Sequence, residues 1–184
     1  LSRFNKRILE NIGEGIYGVD TKGDCTFINP VAAKTLGYKP EELIGISMHA
    51  NHHYKKSDGS VYEKEHCHIY KAFAEGKTFH ISDEVFWSKD GTPFPVEYTS
   101  TPIIENGVIK GAVVVFKDIT KRKQAELALK ESEHKFRTVI ESNPSAILII
   151  QDGQYVFLNP SAETLIGYSS EELRGKDFLD LVHP

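Results

Sequence analysis

The chain has few cysteines, carries no excess of positive charge and contains no long apolar run. Its two cysteines, Cys25 and Cys67, cannot build a disulfide framework, so a reducing compartment, the cytoplasm, is expected. A net charge of −4 and a pI near 6.1 are at odds with the basic surface that nucleic-acid binding requires. No apolar segment approaches the roughly 20 residues that cross a bilayer, so these residues are expected to make no membrane contact. A secretory leader is absent and the first residue is Leu1, so the chain reads as an excerpt from a longer protein whose anchor could lie elsewhere.

Catalytic signatures are equally scarce. There is no P-loop and no kinase motif, and Ser82 and Ser100 lack a nucleophile elbow. Asp83 and Glu84 are consecutive in a strand-like segment. Their side chains should point to opposite faces, cannot share a proton, and read as two solvated or edge-strand charges. No Cys-x-x-Cys-His run is present to attach a c-type haem. The fragment is expected not to be an enzyme.

What is present is enough for a packed core: 184 residues, 40% hydrophobic and 10% aromatic. Ten of the nineteen positions from Phe27 to Gly45 are identical to those 130 residues further on, from Phe157-Leu158-Asn159-Pro160 to Gly175. That is a duplication. One unit fills residues 1–120, and the first part of a second fills 137–184. A partial unit should leave Val139, Ile140, Ile147, Leu148, Ile149, Ile150, Phe157, Leu158 and Leu165 poorly covered, which favours association with a neighbour.

Within the first unit, residues 3–12 read as a short helix. Gly15 to Asp20 and Cys25 to Ile28 read as strands joined by a turn at Gly23. Asn29-Pro30 starts a helix that Gly37 ends, and Pro40-Glu41-Glu42 opens another. Residues 45–62 read as irregular and Glu63 to Ala74 as a helix. Three long strands follow, 79–87, 93–104 and 108–117, with Asp90-Gly91 and Asn106-Gly107 as hairpin signals. The order β-β-α-α-α-β-β-β implies an α+β domain, a five-stranded antiparallel sheet with helices on one face. Between Gly111 and Pro144 there is neither glycine nor proline, and a polar helix is expected from Lys121 to 136 or 137, capped by Asp118 or Thr120. Arg122, Ala125, Leu129, Ser132, Phe136 and Val139 are spaced as on one face of a paired helix.

The element order resembles the PAS fold, and so do the motifs. These are Phe27-Ile28-Asn29-Pro30, Gly37-Tyr38 through Gly45, Phe86 through Glu97, and Phe116-Lys117-Asp118-Ile119-Thr120. The junction from Asp118-Ile119-Thr120 to Phe136-Arg137 is similar to linkers between tandem PAS domains of bacterial signalling proteins. The resemblance implies a sensory and dimerising module that relays a signal through Asp118, Ile119 and Thr120. The output domain would be that of a sensor histidine kinase, or otherwise of a diguanylate cyclase or transcription regulator. It also implies a homodimer formed through terminal and linker helices, and a pocket between sheet and helices lined by Tyr70, Phe73, Phe86, Tyr98 and Val115. A ligand-free structural dimerisation module is the competing class, and a metal-dependent enzyme a third.

Residues 49–68 hold five of the eight histidines and Cys67. Imidazole and thiolate are ligands for zinc and iron, so His52, His53 and Cys67 are candidate metal or haem ligands. A b-type haem on His66 or His68 and a small metabolite are further possible occupants. Cys67 lies in His66-Cys67-His68-Ile69, unlike the Asn-Cys-Arg-Phe-Leu type segment of flavin photoreceptors, so flavin–thiol photochemistry is not expected.

Overall fold

The computed structural model describes residue 7 and residues 9–182, and the chain divides into two compact units that part between Lys123 and Gln124. In the first unit, β1 (Gly15–Asp20) and β2 (Cys25–Ile28) precede α1 (Pro30–Leu36), α2 (Pro40–Leu43) and α3 (Met48–His52). A 3₁₀ turn (Lys64–His66) and α4 (His68–Glu75) lead into β3 (Phe79–Trp87), β4 (Pro93–Glu105) and β5 (Val108–Asp118). The five strands form one antiparallel sheet in the order β2-β1-β5-β4-β3. Asn106 and Gly107 adopt φ of 51° and 76°, the left-handed pair that a two-residue hairpin needs to follow strand twist.

Alternation along the strands selects one face for the core. Val96, Tyr98, Val114 and Phe116 face inward with Tyr17 and Phe86, and the helices add Leu36, Leu43, Met48 and Phe73. At Gly111 the backbone reaches φ 150°, and a side-chain Cβ there would lie 1.8 Å from the Val19 carbonyl oxygen. Only glycine lets β5 approach β1 this closely.

Two local expectations need correction. The stretch 45–62 contains α3, capped by the Ser47 hydroxyl. The helix expected over 63–74 is broken at Cys67, whose backbone is extended at φ −64° and ψ 122°. Of the expected N-terminal helix, residues 9–11 are helical, and residues 3–6 and 8 lie outside the described residues.

The second unit takes up α5 (Thr120–Glu141) beyond Lys123, which runs further than residue 137. It continues with the hairpin β6 (Leu148–Gln151) and β7 (Gln154–Leu158), then α6 (Pro160–Ile166), α7 (Ser170–Leu173) and α8 (Leu179–Val182). The duplication is physical. Asn29 Oδ1 accepts from the backbone N–H groups of Ile16 and Ala32, while its Nδ2 donates to the carbonyls of Leu9 and Glu14. Asn159 repeats this with Ile147, Ala162, Ile140, Asn143 and Ser145. One side chain thus ties strand, helix start and preceding segment in each unit. Leu148, Ile149, Ile150 and Leu165 are exposed, whereas Leu158 is buried with Tyr155, Ala162 and Leu173, contrary to expectation. Among the described residues no helix is long and apolar enough to cross a membrane.

Candidate functional site

The site is built from α3, the segment ending at Cys67, and β3. On α3, His49 and His53 are four residues apart and share a face. His49 Nε2 lies 2.8 Å from the Tyr62 carbonyl oxygen, so it is the protonated nitrogen and donates. Its Nδ1 is buried without a hydrogen-bond partner. His53 Nε2 lies 2.7 Å from Glu84 Oε2, and His53 Nδ1 lies 3.3 Å from Cys67 Sγ. The break at Cys67 turns this thiol toward the two histidines.

Glu84 is the hub. Its Oε2 also accepts from the Tyr98 hydroxyl at 2.7 Å, and its Oε1 from the Tyr62 hydroxyl and His68 Nδ1, both at 3.0 Å. A β-bulge between Ile81 and Glu84 puts it there. The extra residue lets Phe79 and Ile81 pack on the core while Glu84 and Phe86 also face it. Glu84 is therefore not a solvated charge, although it does lie on an edge strand, as the other half of that reading had it. Strict period-two alternation cannot place Ile81 and Glu84 on one face, and nothing in the sequence marks the bulge. Asp83 does point the other way, to solvent, where it meets Lys123 Nζ at 2.5 Å.

The electrostatics follow from these contacts. Burial raises the Glu84 carboxyl, but the hydrogen bond and charge of His53, then the Tyr98 and Tyr62 hydroxyls, outweigh it and hold the pKa at about 2. Burial also opposes charge on His53, yet its bonds to Cys67 and Glu84 lift it to about 9. For Cys67, burial is overcome by His49 and His53, which bring the thiol down to about 6. The result is a buried thiolate–imidazolium–carboxylate row. Burial and then the Glu84 charge push the Tyr98 and Tyr62 hydroxyls well above their usual range, so they stay donors.

His52 does not join this group. It sits on the neighbouring flank of α3, sharing a 3.0 Å hydrogen bond with the Tyr17 hydroxyl and packing edge-on to Phe86, which the His53 ring also borders. Burial, then the neighbouring His53 and His49, keep it neutral, well below the usual imidazole range. Of the three expected ligands, His53 and Cys67 come together and His49 takes the place of His52. The spacing of four between His49 and His53 was the available signal, hidden because this stretch was not read as helix. His66 is exposed, and His68 is engaged by Glu84.

The expected pocket residues separate. Phe86 and Tyr98 border the His53 ring, with centroids 4.9 and 5.8 Å away. Tyr70 and Phe73 pack edge-on to each other on α4 and line a small space with His49 and Cys67, away from Phe86 and Tyr98. Val115 lies on the other face of β5, since Val114 and Phe116 supply the core side. The unbroken apolar run from Ala112 to Phe116 concealed which residues faced in. A cleft opens beside Glu84, lined by His53, Tyr62, His68, Lys55, Lys56 and Lys71.

A protein-family comparison matches the PAS fold to residues 3–119 and 134–184. The chain belongs to the PAS family. A solved PAS domain from Colwellia psychrerythraea superimposes with a TM-score of 0.53 at 22% identity, covering 65% of this chain and 97% of that one. Among curated relatives, Sporulation kinase A of Bacillus subtilis is 25% identical over 97% of this chain and 28% of its own length. Signal transduction histidine-protein kinase AtoS of Escherichia coli is 26% identical over 71% of this chain and 20% of its own. Probable diguanylate cyclase DgcE of the same organism is 30% identical over 63% and 10%. The chain thus spans about a quarter or less of these relatives, and the similarity supports a PAS region of a signalling protein.

Proposed function

We propose that this PAS chain is a sensory module in which the state of the Glu84–His53–Cys67 cluster is passed through β3 to the start of α5. The observation that carries this is the pair Asp83 and Glu84. Adjacent on one bulged strand, they bind opposite sides of the sheet: Glu84 the buried histidines, Asp83 the Lys123 ammonium on α5. A ligand that shifts the Glu84 backbone also shifts Asp83, since one planar peptide unit joins them.

The start of α5 is held to the same sheet at two further points. The Ile119 N–H donates to the Pro95 carbonyl at 3.0 Å with its side chain 2% exposed, and Arg122 pairs with Glu97 at 2.7 Å. Asp118 Oδ1 accepts from the Thr120 backbone N–H at 2.8 Å, an Asx turn that leads into the helix. Exposed ion pairs contribute at most about 1 kcal/mol each, so this tie biases the helix without locking it. Coupling between sites is typically about 1–3 kcal/mol, which such ties can carry. The signal must bind the two states with different affinity.

Beyond Lys123, Leu129, Phe136 and Val139 are more than 60% exposed on α5. A second copy of the helix is the occupant that this spacing suits, giving a parallel pair whose geometry biases the next domain. The relatives favour a histidine kinase as that output, and the cyclase relative makes a diguanylate cyclase the alternative. These residues then act as regulator and not as catalyst. The test is the amide NMR spectrum of Glu84→Gln beside wild type. Shifts reaching Lys121 to Lys123, and cut off there by Asp83→Asn, support the relay. Shifts confined to α3, β3 and β4 refute it.

A further inference from the structure

We propose that His49 Nδ1, His53 Nδ1 and Cys67 Sγ form a binding site for one zinc ion, which makes a divalent transition metal the signal read by this module. The inference rests on the cluster being the input site, as argued above.

One donor atom from each of His49, His53 and Cys67 lies within 4.8 Å of the others, with His53 Nδ1 and Cys67 Sγ 3.3 Å apart. Tetrahedral zinc, with bonds of about 2.1 Å to nitrogen and 2.3 Å to sulfur, sets nitrogen–sulfur edges of about 3.6 Å. The His53–Cys67 edge is close to that length, and separations as wide as 4.8 Å would have to close by about 1 Å on binding. Two imidazoles and a thiolate also suit zinc and exclude magnesium and calcium, which take oxygen ligands.

The surrounding hydrogen bonds are those of a metal site. Ligating histidines donate their second ring nitrogen to a carbonyl or carboxylate, which fixes the tautomer and aims the free lone pair. His49 does this with the Tyr62 carbonyl, and His53 with Glu84. At His49, Nδ1 is buried and makes no hydrogen bond, and the Cys67 sulfur is the group that His49 stabilises. A buried acceptor left unmatched is costly, and a metal would satisfy it. The His53 ring is fixed further by the faces of Tyr62 and Phe86, both with centroids 4.9 Å away.

A fourth ligand has a place. A space of about 20 Å³ lined by His49, Cys67, Tyr17, Met48 and Phe73 can hold one water. Zinc at this position pulls on His53, and through it on Glu84 and β3.

The test loads the reduced, chelator-stripped chain with zinc alone and with cobalt(II) alone. The expected result is one zinc per chain by native mass spectrometry. Cobalt should give ligand-field bands of tetrahedral intensity and a thiolate-to-cobalt charge-transfer band. Cys67→Ala should lose that charge-transfer band, and His49→Ala should lose stoichiometric zinc. Cys25→Ala and His52→Gln should keep both. Glu84→Gln should weaken zinc about 10- to 100-fold through the second nitrogen of His53. Absence of zinc from the unmutated chain, or cobalt spectra without a thiolate band, overturns the proposal, and neither reading depends on a variant folding. The relay is scored separately. Bound zinc with no change at Lys121 to Lys123 refutes the relay and leaves the metal site standing. A Glu84→Gln response there without zinc binding does the reverse.

Discussion

The buried row of Cys67, His53 and Glu84 has a consequence for stability that a single titrating group would not show. Consider the metal-free protein, kept so by a chelator, between about pH 7 and pH 8.5. His53 is raised from 6.5 to about 9, so taken alone its stabilisation is complete below 6.5 and is lost as pH rises through 9. Cys67 is lowered from 9.0 to about 6, so its stabilisation is present above 9 and is lost as pH falls through 6. Within the window the folded pair holds one proton, on the imidazolium. The unfolded pair also holds one, on the thiol. Equal proton counts mean no slope, so stability should be flat. The window is bounded below by His52, which stays neutral when buried and costs stability as pH falls through 6.5. It is bounded above by Cys25, which burial raises to about 11 and which costs stability as pH rises past 9. Cys67→Ser removes the thiolate that is the first support of the His53 proton, so the imidazole falls from about 9 back toward its ordinary value and the compensation is lost. The stability of the variant should then fall with pH by at most about 1.4 kcal/mol per unit, and only up to the lowered His53 pKa. Urea unfolding at four or five pH values measures this. A wild type that itself falls by about 1.4 kcal/mol per unit across the window refutes the ion pair.

Other perturbations test separate parts of the structure. Gly111→Ala should cost more than about 2 kcal/mol, since its Cβ would strike the Val19 carbonyl at 1.8 Å, and thermal unfolding would show a drop of several degrees. Asn159→Ala should destabilise the second unit by about 2–4 kcal/mol, because the N–H groups of Ile147 and Ala162 lose their acceptor. Asn159→Asp keeps the Oδ1 acceptor but sets a second carboxylate oxygen against the carbonyls of Ile140, Asn143 and Ser145, so it should cost at least as much, which hydrogen exchange at β6 and β7 can check. Phe136→Lys should shift the chain toward monomer in sedimentation equilibrium without altering far-ultraviolet circular dichroism. An unchanged association constant would remove α5 as the pairing surface.

Much of the architecture could be read before any coordinates. Asn29-Pro30, Gly37 and Asn106-Gly107 are residues whose backbone preferences force a local answer, and each appears at the expected cap or turn. The site was less legible, for reasons that differ by residue. Cys67 and His53 were visible as soft ligands, but His52 displaced His49 because the phase of a five-residue helix cannot be set where no apolar period marks it. Glu84 was invisible, since a bulge adds one residue to a strand without any composition cue and reverses which face the acid takes. Val115 was misplaced for a related reason, as consecutive valines carry no alternation. The polar network is a tertiary product, brought together by a strand, a helix and the extended residue Cys67 between two helical turns.

The most direct test of the account is hydrogen exchange at the first turns of α5, Thr120 to Glu126, in wild type, Glu84→Gln and Asp83→Asn. A relay through β3 predicts faster exchange there in both variants, although Glu84 touches no residue of the helix. Faster exchange in Asp83→Asn alone, with Glu84→Gln matching wild type, would show that the ion pair merely steadies the helix end and that the buried cluster does not speak to it.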